Sequence, residues 1–390
     1  MRIGVDATCW QNNRGYGRHA RSLLRALLAM DGDNKYIFFS DSADNLEMVP
    51  ARAKMQIVRS SLPTAVAASA NGNRSAGDLL NMIRTLSAAE VDLLLFPTIY
   101  SYVPVISRAK KVVVIHDVIA EKYPKLTLPS LKSRLFWKAK TALGRWQADA
   151  IVTVSEYSRR GIVDHFSLRP DRVFVVGEAS DPIFCVIDEP QLSARLSSLG
   201  VSGQKRSVVY VGGFGPHKNL ERLLAAFKKV IGQEEFADLQ LIMVGEYNNE
   251  VFHSYYGIIK KTIGELGIAR RVIFTGYLPD EELVILLNLA TVLVMPSLME
   301  GFGLPAVEAA ACGCPVIATS ASPLPDLLGR GGIYVNPSSQ RELDCALSRV
   351  LQSEELRREM RAAALAAARR LTWERAARQM IDVFEHVGAQ

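Results

Sequence analysis

Two carboxylates eight residues apart, Glu300 and Glu308, mark the segment with the most evident chemistry. They flank the run Gly301-Phe302-Gly303-Leu304, which follows an apolar strand candidate and leads into a helix whose first turn suits Pro305. Free amides at a helix start bind anions or hydroxyls, and a carboxylate accepts hydrogen bonds from two neighbouring sugar hydroxyls. The alternative is a solvated loop carboxylate followed by a favourable first-turn acid. Glycines on both sides of Phe302 favour a sugar and phosphate site.

A second glycine-rich loop, residues 211–218, reads Val-Gly-Gly-Phe-Gly-Pro-His-Lys. Glycines such as Gly213 allow backbone amides to approach a ligand closely. Lys218 stands just before a predicted helix, where a cation can hold a phosphate. A glycine-rich turn with a solvated lysine is the alternative.

The first half of the chain carries two further candidates. Gly15 and Gly17 lie in the loop Asn-Arg-Gly-Tyr-Gly-Arg-His, residues 13–19, between a strand and a helix, where an anion could bind. His116, followed by Asp117, ends an apolar strand, where it could donate to a hydroxyl and change its charge near neutral pH. A simple turn and a core histidine are the respective alternatives.

Elements that alternate between strand and helix would position these side chains. Strands are predicted over 2–7, 36–40, 56–59, 92–96, 111–116 and 150–154, and again over 207–213, 239–244, 272–275, 292–296 and 315–319. Helices are predicted over 18–30, 220–231, 305–311, 354–371 and 372–387, the first with Leu23, Leu24, Leu27 and Leu28 on one face. This alternation is typical of parallel sheets covered on both faces.

A polar break over residues 177–206, with a short helix inside it, separates the two halves, and residues 64–77 form a predicted loop. We therefore expect an α/β protein of two doubly wound Rossmann-like domains, residues 1–180 and 181–371, with a helix over 372–390 returning to the first. Ligands of such sheets bind at the carboxyl ends of the strands. Two such edges would face each other across a cleft.

Composition restricts the class of protein and of partner. The 390 residues are 49% hydrophobic and 22% charged, the balance of a soluble globular protein with sizeable cores. No signal-peptide pattern and no run of membrane-spanning length is evident, so a cytoplasmic location is expected. The net charge of +6 suits a partner with phosphates, which could be a nucleotide, a nucleic acid or an anionic membrane. Because the arginines are spread over helices, a nucleic-acid partner is disfavoured.

No motif predicts a metal or a cofactor. Among the five cysteines only Cys312 and Cys314 are close, and their one-residue gap fits no zinc motif, so reduced and mostly buried thiols are expected. The pair Asp31 and Asp33 follows a helix end, where it indicates turn chemistry.

In this order and spacing, the motifs resemble the retaining glycosyltransferases of family 4, which have the two-domain GT-B fold. The resemblance spans nearly the whole chain and looks strongest to bacterial polysaccharide mannosyltransferases. It rests on Gly15-Tyr-Gly-Arg18, His116-Asp117, Val154-Ser-Glu-Tyr-Ser158, Tyr210-Val-Gly-Gly213, Lys218-Asn219, Phe274-Thr-Gly-Tyr-Leu278 and the Glu-x7-Glu segment from Glu300 to Glu308.

The resemblance implies a role for each candidate residue. Glu308 would bind the ribose hydroxyls, while Glu300 and the amides of residues 301–304 would hold the transferred hexose. Lys218 and the amide of Gly17 would neutralise the diphosphate leaving group. His116 would contact the sugar near its reacting carbon. The segments Gly245 to Tyr247 and Gly276 to Leu278, with Tyr277 at the centre of the second, would frame the base.

One departure from the family pattern concerns the diphosphate. Many members carry an arginine where this chain has Gly213, or just before the lysine, where it has His217. Either Lys218 acts with fewer partners, or Arg14, Arg18 or His217 supplies the charge.

The function that the resemblance implies is metal-independent, retaining transfer of a hexose, with GDP-mannose as first donor, in cell-surface polysaccharide synthesis. The acceptor would be a glycan or a lipid-linked saccharide. A transferase that uses a UDP-hexose or UDP-N-acetylhexosamine is one alternative. A non-catalytic nucleotide-sugar-binding protein is a second, and an epimerase of similar architecture is disfavoured because it would not share the Glu-x7-Glu segment.

A basic helix over residues 128–146 raises a membrane alternative for the acceptor. An apolar stripe would face the core, formed by Leu128, Leu131, Leu135, Ala139, Ala142 and Trp146. The opposite face would present Trp137 among Lys132, Arg134, Lys138, Lys140 and Arg145. Such a face is typical of peripheral contact with an anionic membrane, here the inner face of the plasma membrane. A solvated basic helix whose Trp137 packs on a loop is the alternative.

Overall fold

The computed structural model describes residues 1–12, 15–42, 52–61, 64, 75–188, 196, 205–247 and 255–389. It divides into two compact units. Unit one comprises Met1–Glu178 together with Thr372–Gln390, and unit two comprises Ala179–Leu371.

Unit one is built on a parallel sheet of seven described strands in the order β3-β2-β1-β4-β5-β6-β7. The strands are β1 (Arg2–Asp6), β2 (Lys35–Ser40), β3 (Ala53–Ile57), β4 (Leu93–Phe96), β5 (Lys110–Val114), β6 (Ala150–Thr153) and β7 (Val173–Val175). Every residue of β4 and β6 is buried, which explains their continuous apolar sequences.

Helices that connect the strands cover this sheet. They are α1 (Gly15–Met30), α2 (Ala76–Ser87), α3 (Ile119–Lys122), α4 (Pro124–Thr127), α5 (Leu131–Gln147) and α6 (Glu156–Phe166), with a 3-10 turn at Pro170–Arg172. The predicted leucine face of α1 is buried, as expected. Serine side chains cap α2, α5 and α6 by accepting a backbone N–H in the first turn.

Unit two repeats the plan with a parallel sheet of six described strands in the order β10-β9-β8-β11-β12-β13. The strands are β8 (Ser207–Val211), β9 (Gln240–Val244), β10 (Val272–Gly276), β11 (Val292–Met295), β12 (Val316–Thr319) and β13 (Gly332–Val335). The helices are α7 (Leu220–Val230), α8 (Tyr256–Glu265), α9 (Asp280–Leu289), α10 (Leu304–Ala311), α11 (Leu324–Leu328), α12 (Gln340–Gln352) and α13 (Glu354–Ala368). The 3-10 turns are Pro216–Lys218, Glu234–Phe236, Ala269–Arg271 and Gly329–Gly331.

The last helix, α14 (Trp373–Gly388), belongs to unit one. It packs along α1, and its Gln379 side chain accepts a hydrogen bond of 3.0 Å from the amide of Gly177. Thr372 caps its first turn. The predicted return of this helix to the first domain is therefore confirmed.

Both sheets reverse strand order beside their first strand, as the predicted doubly wound fold requires. In unit one β1 lies between β2 and β4, and in unit two β8 lies between β9 and β11. Loops that follow these strands therefore gather at one edge of each sheet, which is where open α/β sheets bind ligands.

Two short strands escaped prediction, and some bounds differ. Neither β7 nor β13 was predicted, and β3 starts and ends earlier than expected, at Ala53 and Ile57. The predicted loop at 64–77 overlaps α2, which begins at Ala76, and the rest of that loop except Thr64 and Ser75 lies outside the described residues. The helix predicted inside the 177–206 break also falls largely outside them.

The predicted orientation of α5 is wrong. Leu131, Leu135 and Trp146 are 60–77% exposed, whereas the buried residues of the helix are Thr141 and Gly144. A Cβ on Gly144 would lie 2.7 Å from Ile99 Cδ1, so this helix approaches the sheet through its small residues rather than through its leucines. Trp137 is half-buried.

The remaining sequence-based expectations concern single side chains. Asp31 accepts from the amides of Asp33 and Asn34, each at 3.1 Å, as turn chemistry predicts. All five cysteines are free, with Cys9, Cys312 and Cys314 buried and the other two exposed.

Candidate functional site

The strand-end edge of unit two is held together by close backbone contacts between its loops. The amide of Gly212 donates to Val244 O, and the amide of Gly245 donates to Gly276 O, both at 3.0 Å. Gly245 has φ +155°, and a Cβ there would lie 2.0 Å from Gly212 O, so only glycine fits. Glycines of three predicted site segments, Gly212, Gly245 and Gly276, thus hold the ends of β8, β9 and β10 together. Gly213, by contrast, has open space around it.

Lys218 and Glu300 meet at this edge, as predicted for residues of one site. Lys218 Nζ lies 2.7 Å from Glu300 Oε1, although the residues are 82 apart in sequence. Ser297 Oγ donates to the same carboxylate oxygen at 2.6 Å. Burial alone would raise the pKa of Glu300, but the Lys218 charge and these hydrogen bonds outweigh it and hold the pKa below its usual value. Glu300 is therefore an anion at neutral pH.

Asn219 fixes the backbone that carries Lys218. Its φ of +58° is a left-handed conformation, which asparagine tolerates better than most residues. Its side-chain amide donates to Pro296 O at 2.9 Å and to Pro337 O at 3.0 Å. In the same loop, Leu298 N donates to His217 O at 2.9 Å. The loop after β8 is thus tied to the loops after β11 and β13.

The Glu-x7-Glu segment forms a helix start, as predicted. Gly303 has φ +89° and caps α10, and a Cβ there would lie 2.9 Å from Leu324. Phe302 is buried, Leu304 is half-buried and Glu308 is 1% exposed within the helix. The helix-terminal amides at the start of α10 therefore follow Glu300 within a few residues of sequence.

His217 does not supply the missing positive charge. Burial, followed by the neighbouring Lys218 charge, lowers the pKa of His217 to about 4. The imidazole is neutral at pH 7, so the option that His217 replaces an arginine is wrong. Arg14 lies outside the described residues, and Arg18 is half-buried in α1.

An aromatic cluster that no sequence motif indicated lies beside the predicted base segments. The Tyr247 and Tyr256 rings stack with centroids 4.6 Å apart, and Phe214 and Phe274 pack around them. Tyr277, which follows β10, is 49% exposed. Flat aromatic faces near a sheet edge suit a nucleobase.

At the edge of unit one, the glycine loop owes its shape to Gly17. A Cβ on Gly17 would lie 1.9 Å from Asn12 O, and the Arg21 guanidinium donates to Asn12 O at 2.7 Å and Trp10 O at 2.5 Å. Gly15 begins α1 with open space around its Cα.

His116 follows β5 at the same edge. Both ring nitrogens are buried, and neither has a hydrogen-bond partner among the described residues. Burial, followed by the charge of His19, lowers the pKa of His116 well below its usual value. The prediction that His116 changes charge near neutral pH is therefore wrong, and it acts there as a neutral imidazole.

His19 and Glu178 accompany His116, and no local sequence pattern would have found them. His19 Nδ1 lies 2.9 Å from Glu178 Oε1, and the His19 and His116 ring centroids are 5.0 Å apart. Within the described ranges, this is the one group of three such residues whose potential metal-binding atoms lie within 4.8 Å of one another. Two imidazoles and a carboxylate would suit Zn²⁺ by composition, yet His19 and Glu178 already contact each other.

Each of the two units is matched over most of its length by a known family model. The family model "Glycosyltransferase Family 4" matches residues 13–182, and "Glycosyl transferases group 1" matches residues 196–366. The serotype-specific mannosyltransferase WbdA of Escherichia coli is 29% identical over 70% of this chain, which spans 33% of that protein. The O-antigen chain mannosyltransferase B of Escherichia coli is 29% identical over 61% of each chain. The chain thus spans between a third and three fifths of the length of these relatives.

A solved structure supports the fold. Sucrose-phosphate synthase from Thermosynechococcus elongatus superposes with a TM-score of 0.77 at 19% identity, covering 100% of this chain and 99% of the other. At this identity the likeness concerns the fold alone.

We expect the exchange Gly17→Ala to destabilise unit one, because the new methyl group would overlap the carbonyl of Asn12. Such overpacking costs about 1–3 kcal/mol, and thermal unfolding would show a lower Tm. The control is Gly15→Ala, whose Cβ meets nothing within 4 Å. An equal effect of the two substitutions would contradict the steric argument.

Proposed function

The chain belongs to the glycosyltransferases, with a family 4 region at 13–182 and a group 1 region at 196–366, and we propose that it transfers a hexose from a nucleoside diphosphate. Mannose from GDP-mannose is the favoured donor, because mannosyltransferases are among the relatives. The acceptor is a glycan or a lipid-linked saccharide of a cell-surface polysaccharide. Transfer retains the anomeric configuration and needs no metal.

The observation that carries this proposal is the contact of Lys218 with Glu300 at the edge of unit two. It places a cation and a carboxylate 2.7 Å apart in sequence-distant loops, where a diphosphate and its sugar could engage one each. The diphosphate attracts the Lys218 ammonium, while Glu300 accepts hydrogen bonds from sugar hydroxyls. Charge that develops on the leaving diphosphate is stabilised by Lys218 and by backbone amides.

The other predicted site residues take the remaining parts of the donor. Glu308 binds the ribose, the amides of 301–304 bind the hexose, and Tyr277 and the loop at Gly245 frame the base. In unit one, the amide of Gly17 contributes to the diphosphate site, and neutral His116 contacts the sugar. Since a neutral imidazole has one donor and one acceptor nitrogen, His116 can hydrogen-bond a hydroxyl in either direction.

We predict that Glu300→Gln lowers kcat much more than donor affinity, whereas Glu308→Ala weakens donor binding. Losing a charged hydrogen-bond partner costs about 1.5–3 kcal/mol, a roughly ten- to hundredfold effect. Steady-state kinetics with GDP-mannose, UDP-glucose and UDP-N-acetylglucosamine would measure both quantities. The control is Glu281→Gln, an exposed residue of α9. If both site variants behave as this control does, the assignment is wrong.

Activity should persist in excess EDTA, since the protein's own groups neutralise the diphosphate in this proposal. The rate with and without chelator would be compared after extensive dialysis. Loss of activity that Mn²⁺ or Mg²⁺ restores would contradict metal independence.

We further propose that α5 places the enzyme at an anionic membrane. Its exposed side chains include Leu131, Leu135, Phe136 and Trp146, with exposed Lys132 and Lys138 among them. Apolar and basic residues on one exposed helix are typical of an interfacial contact. No helix in the described part of the chain combines the length and apolar character needed to cross a bilayer.

The residues that carry this contact differ from those predicted. Trp137 Nε1 donates to Glu121 Oε1 at 2.8 Å, and Lys140 donates to Tyr100 O at 2.6 Å. The Arg145 guanidinium lies 3.7 Å from the Phe166 ring centroid. Trp137 therefore packs within unit one, and the proposed contact is made by the exposed apolar side chains of α5 together with Lys132 and Lys138.

Cosedimentation with anionic and neutral vesicles would test the membrane proposal. We expect salt-sensitive binding to anionic vesicles, reduced by the double substitution Leu135→Ser with Phe136→Ser. The control is Leu80→Ser, an exposed leucine of α2. Negligible binding in every condition would exclude the membrane contact and favour a soluble acceptor.

A further inference from the structure

Three polar side chains from distant parts of unit one converge beside the end of β5. His19 comes from the second turn of α1, His116 follows β5, and Glu178 is the last residue before the chain leaves this unit. The proposed function uses only His116. The other two are more deeply buried, with His19 at 0% and Glu178 at 7% exposure.

The carboxylate of Glu178 lies against the His19 ring. His19 Nδ1 lies 2.9 Å from Glu178 Oε1, within ion-pair distance, although this contact does not have the geometry of a hydrogen bond. A carboxylate this close to one nitrogen of an imidazole favours a hydrogen on that nitrogen. His19 also meets the indole of Trp373 edge-on, with centroids 5.9 Å apart. Its ring is therefore held by a polar contact and by an apolar one.

His19 is also the polar neighbour of the His116 ring. The two rings meet edge to face, with centroids 5.0 Å apart and planes at 79°. The backbone of His116 is held separately, since Thr153 Oγ1 donates to its carbonyl at 3.1 Å. Both His116 ring nitrogens are buried without a hydrogen-bond partner among the described residues, so no hydrogen bond there fixes the ring, and the edge-to-face contact with His19 is available to do so.

We infer that Glu178 is a positioning residue, which acts through His19 to hold the His116 imidazole in the orientation that presents a nitrogen to a sugar hydroxyl. This rests on the proposed function, in which His116 contacts the sugar. Burial and the charge of His19, which keep the pKa of His116 low, are consistent with this arrangement because they leave one ring nitrogen as an acceptor.

The contact between Glu178 and His19 also lies where the chain leaves and re-enters unit one. The chain leaves unit one directly after Glu178 and re-enters it at Thr372, one residue before Trp373. The neighbouring Gly177 is tied to Gln379 of α14 by its amide. Both segments by which unit one is joined to the rest of the chain therefore touch the residue that orients His116.

The test is the exchange Glu178→Gln in the full chain, which keeps the shape of the side chain and removes its charge. We expect kcat to fall roughly ten- to hundredfold, the effect of losing a charged partner, with little change in the KM for the donor. Glu178→Asp should restore part of kcat. The control is Trp373→Phe, which alters the apolar contact of His19 but leaves its carboxylate partner.

A second readout follows His116 itself and needs no activity. In ¹H–¹⁵N spectra of the histidine side chains, assigned with His116→Asn, the wild type should show one tautomer of His116. Glu178→Gln should shift the His116 nitrogen signals towards tautomer averaging, and Trp373→Phe should not. Because a general loss of stability would move both variants alike, this difference separates positioning from structural support.

Failure of this inference is distinguishable from failure of the proposed function. If His116→Asn lowers kcat while Glu178→Gln changes neither kcat nor the His116 signals, Glu178 does not position His116. If no nucleotide sugar is turned over at all, the proposed function is wrong, and the spectra still decide the role of Glu178. Elemental analysis that finds Zn²⁺ in the wild type and none in Glu178→Gln would overturn the inference, because the three side chains would then hold a metal.

Discussion

In a parallel sheet each strand must be followed by a crossover, so the loops after all the strands lie at one edge. The proposed donor site and the histidine cluster of unit one both depend on that constraint. It brings Lys218, which follows β8, to Glu300, which follows β11, across 82 residues of sequence. In unit one it likewise brings His116, after β5, to the start of α1, after β1. Chemistry encoded in separate motifs becomes a site because topology gathers the motifs.

The gathered loops are kept in place by close backbone fit as well as by buried side chains such as Phe214 and Phe302. Gly245 lies against the carbonyl of Gly212, and Gly17 against that of Asn12, where any side chain would overlap. Asn219 adds hydrogen bonds to two further loops. A polar site on loops needs such support, because its side chains must be held close to one productive geometry. These glycines therefore determine the shape of the strand-end edge of each sheet, in addition to any contact they make with a ligand.

Much of this was predictable from sequence, for identifiable reasons. Apolar strands such as β4 and β6 are buried on both faces and therefore read as continuous apolar runs. The predicted face of α1 could be located from its helical spacing, since four leucines lie on one side of the helix and that side is buried. The Glu-x7-Glu segment could be located because a strand, a glycine loop and a helix start follow one another locally. Ser297, three residues before Glu300, could have been added from the same local pattern.

The sequence-based predictions that were wrong or missing depend on contacts between distant segments, which a local sequence pattern does not contain. The leucines of α5 are exposed because the helix buries Thr141 and Gly144 instead, and Ile99, in another segment, leaves no room for a side chain at Gly144. His19 and Glu178 are 159 residues apart, and only the fold shows that they touch. The charge states of His116 and His217 depend on burial, which a sequence does not specify, and they leave Lys218 as the cation beside Glu300.

The most direct test of a donor site at Lys218 and Glu300 is the shift in Tm produced by a panel of nucleotide sugars, since a ligand that binds the folded state stabilises it. We expect at least one nucleoside diphosphate sugar to raise the Tm, because a ligand at one hundred times its Kd adds about 2.7 kcal/mol to the free energy of unfolding. In Lys218→Gln, which keeps a hydrogen-bond donor for Glu300, that sugar should stabilise no more than its nucleoside does. A panel without any shift in Tm, or a shift that Lys218→Gln leaves unchanged, would contradict a donor site at Lys218 and Glu300.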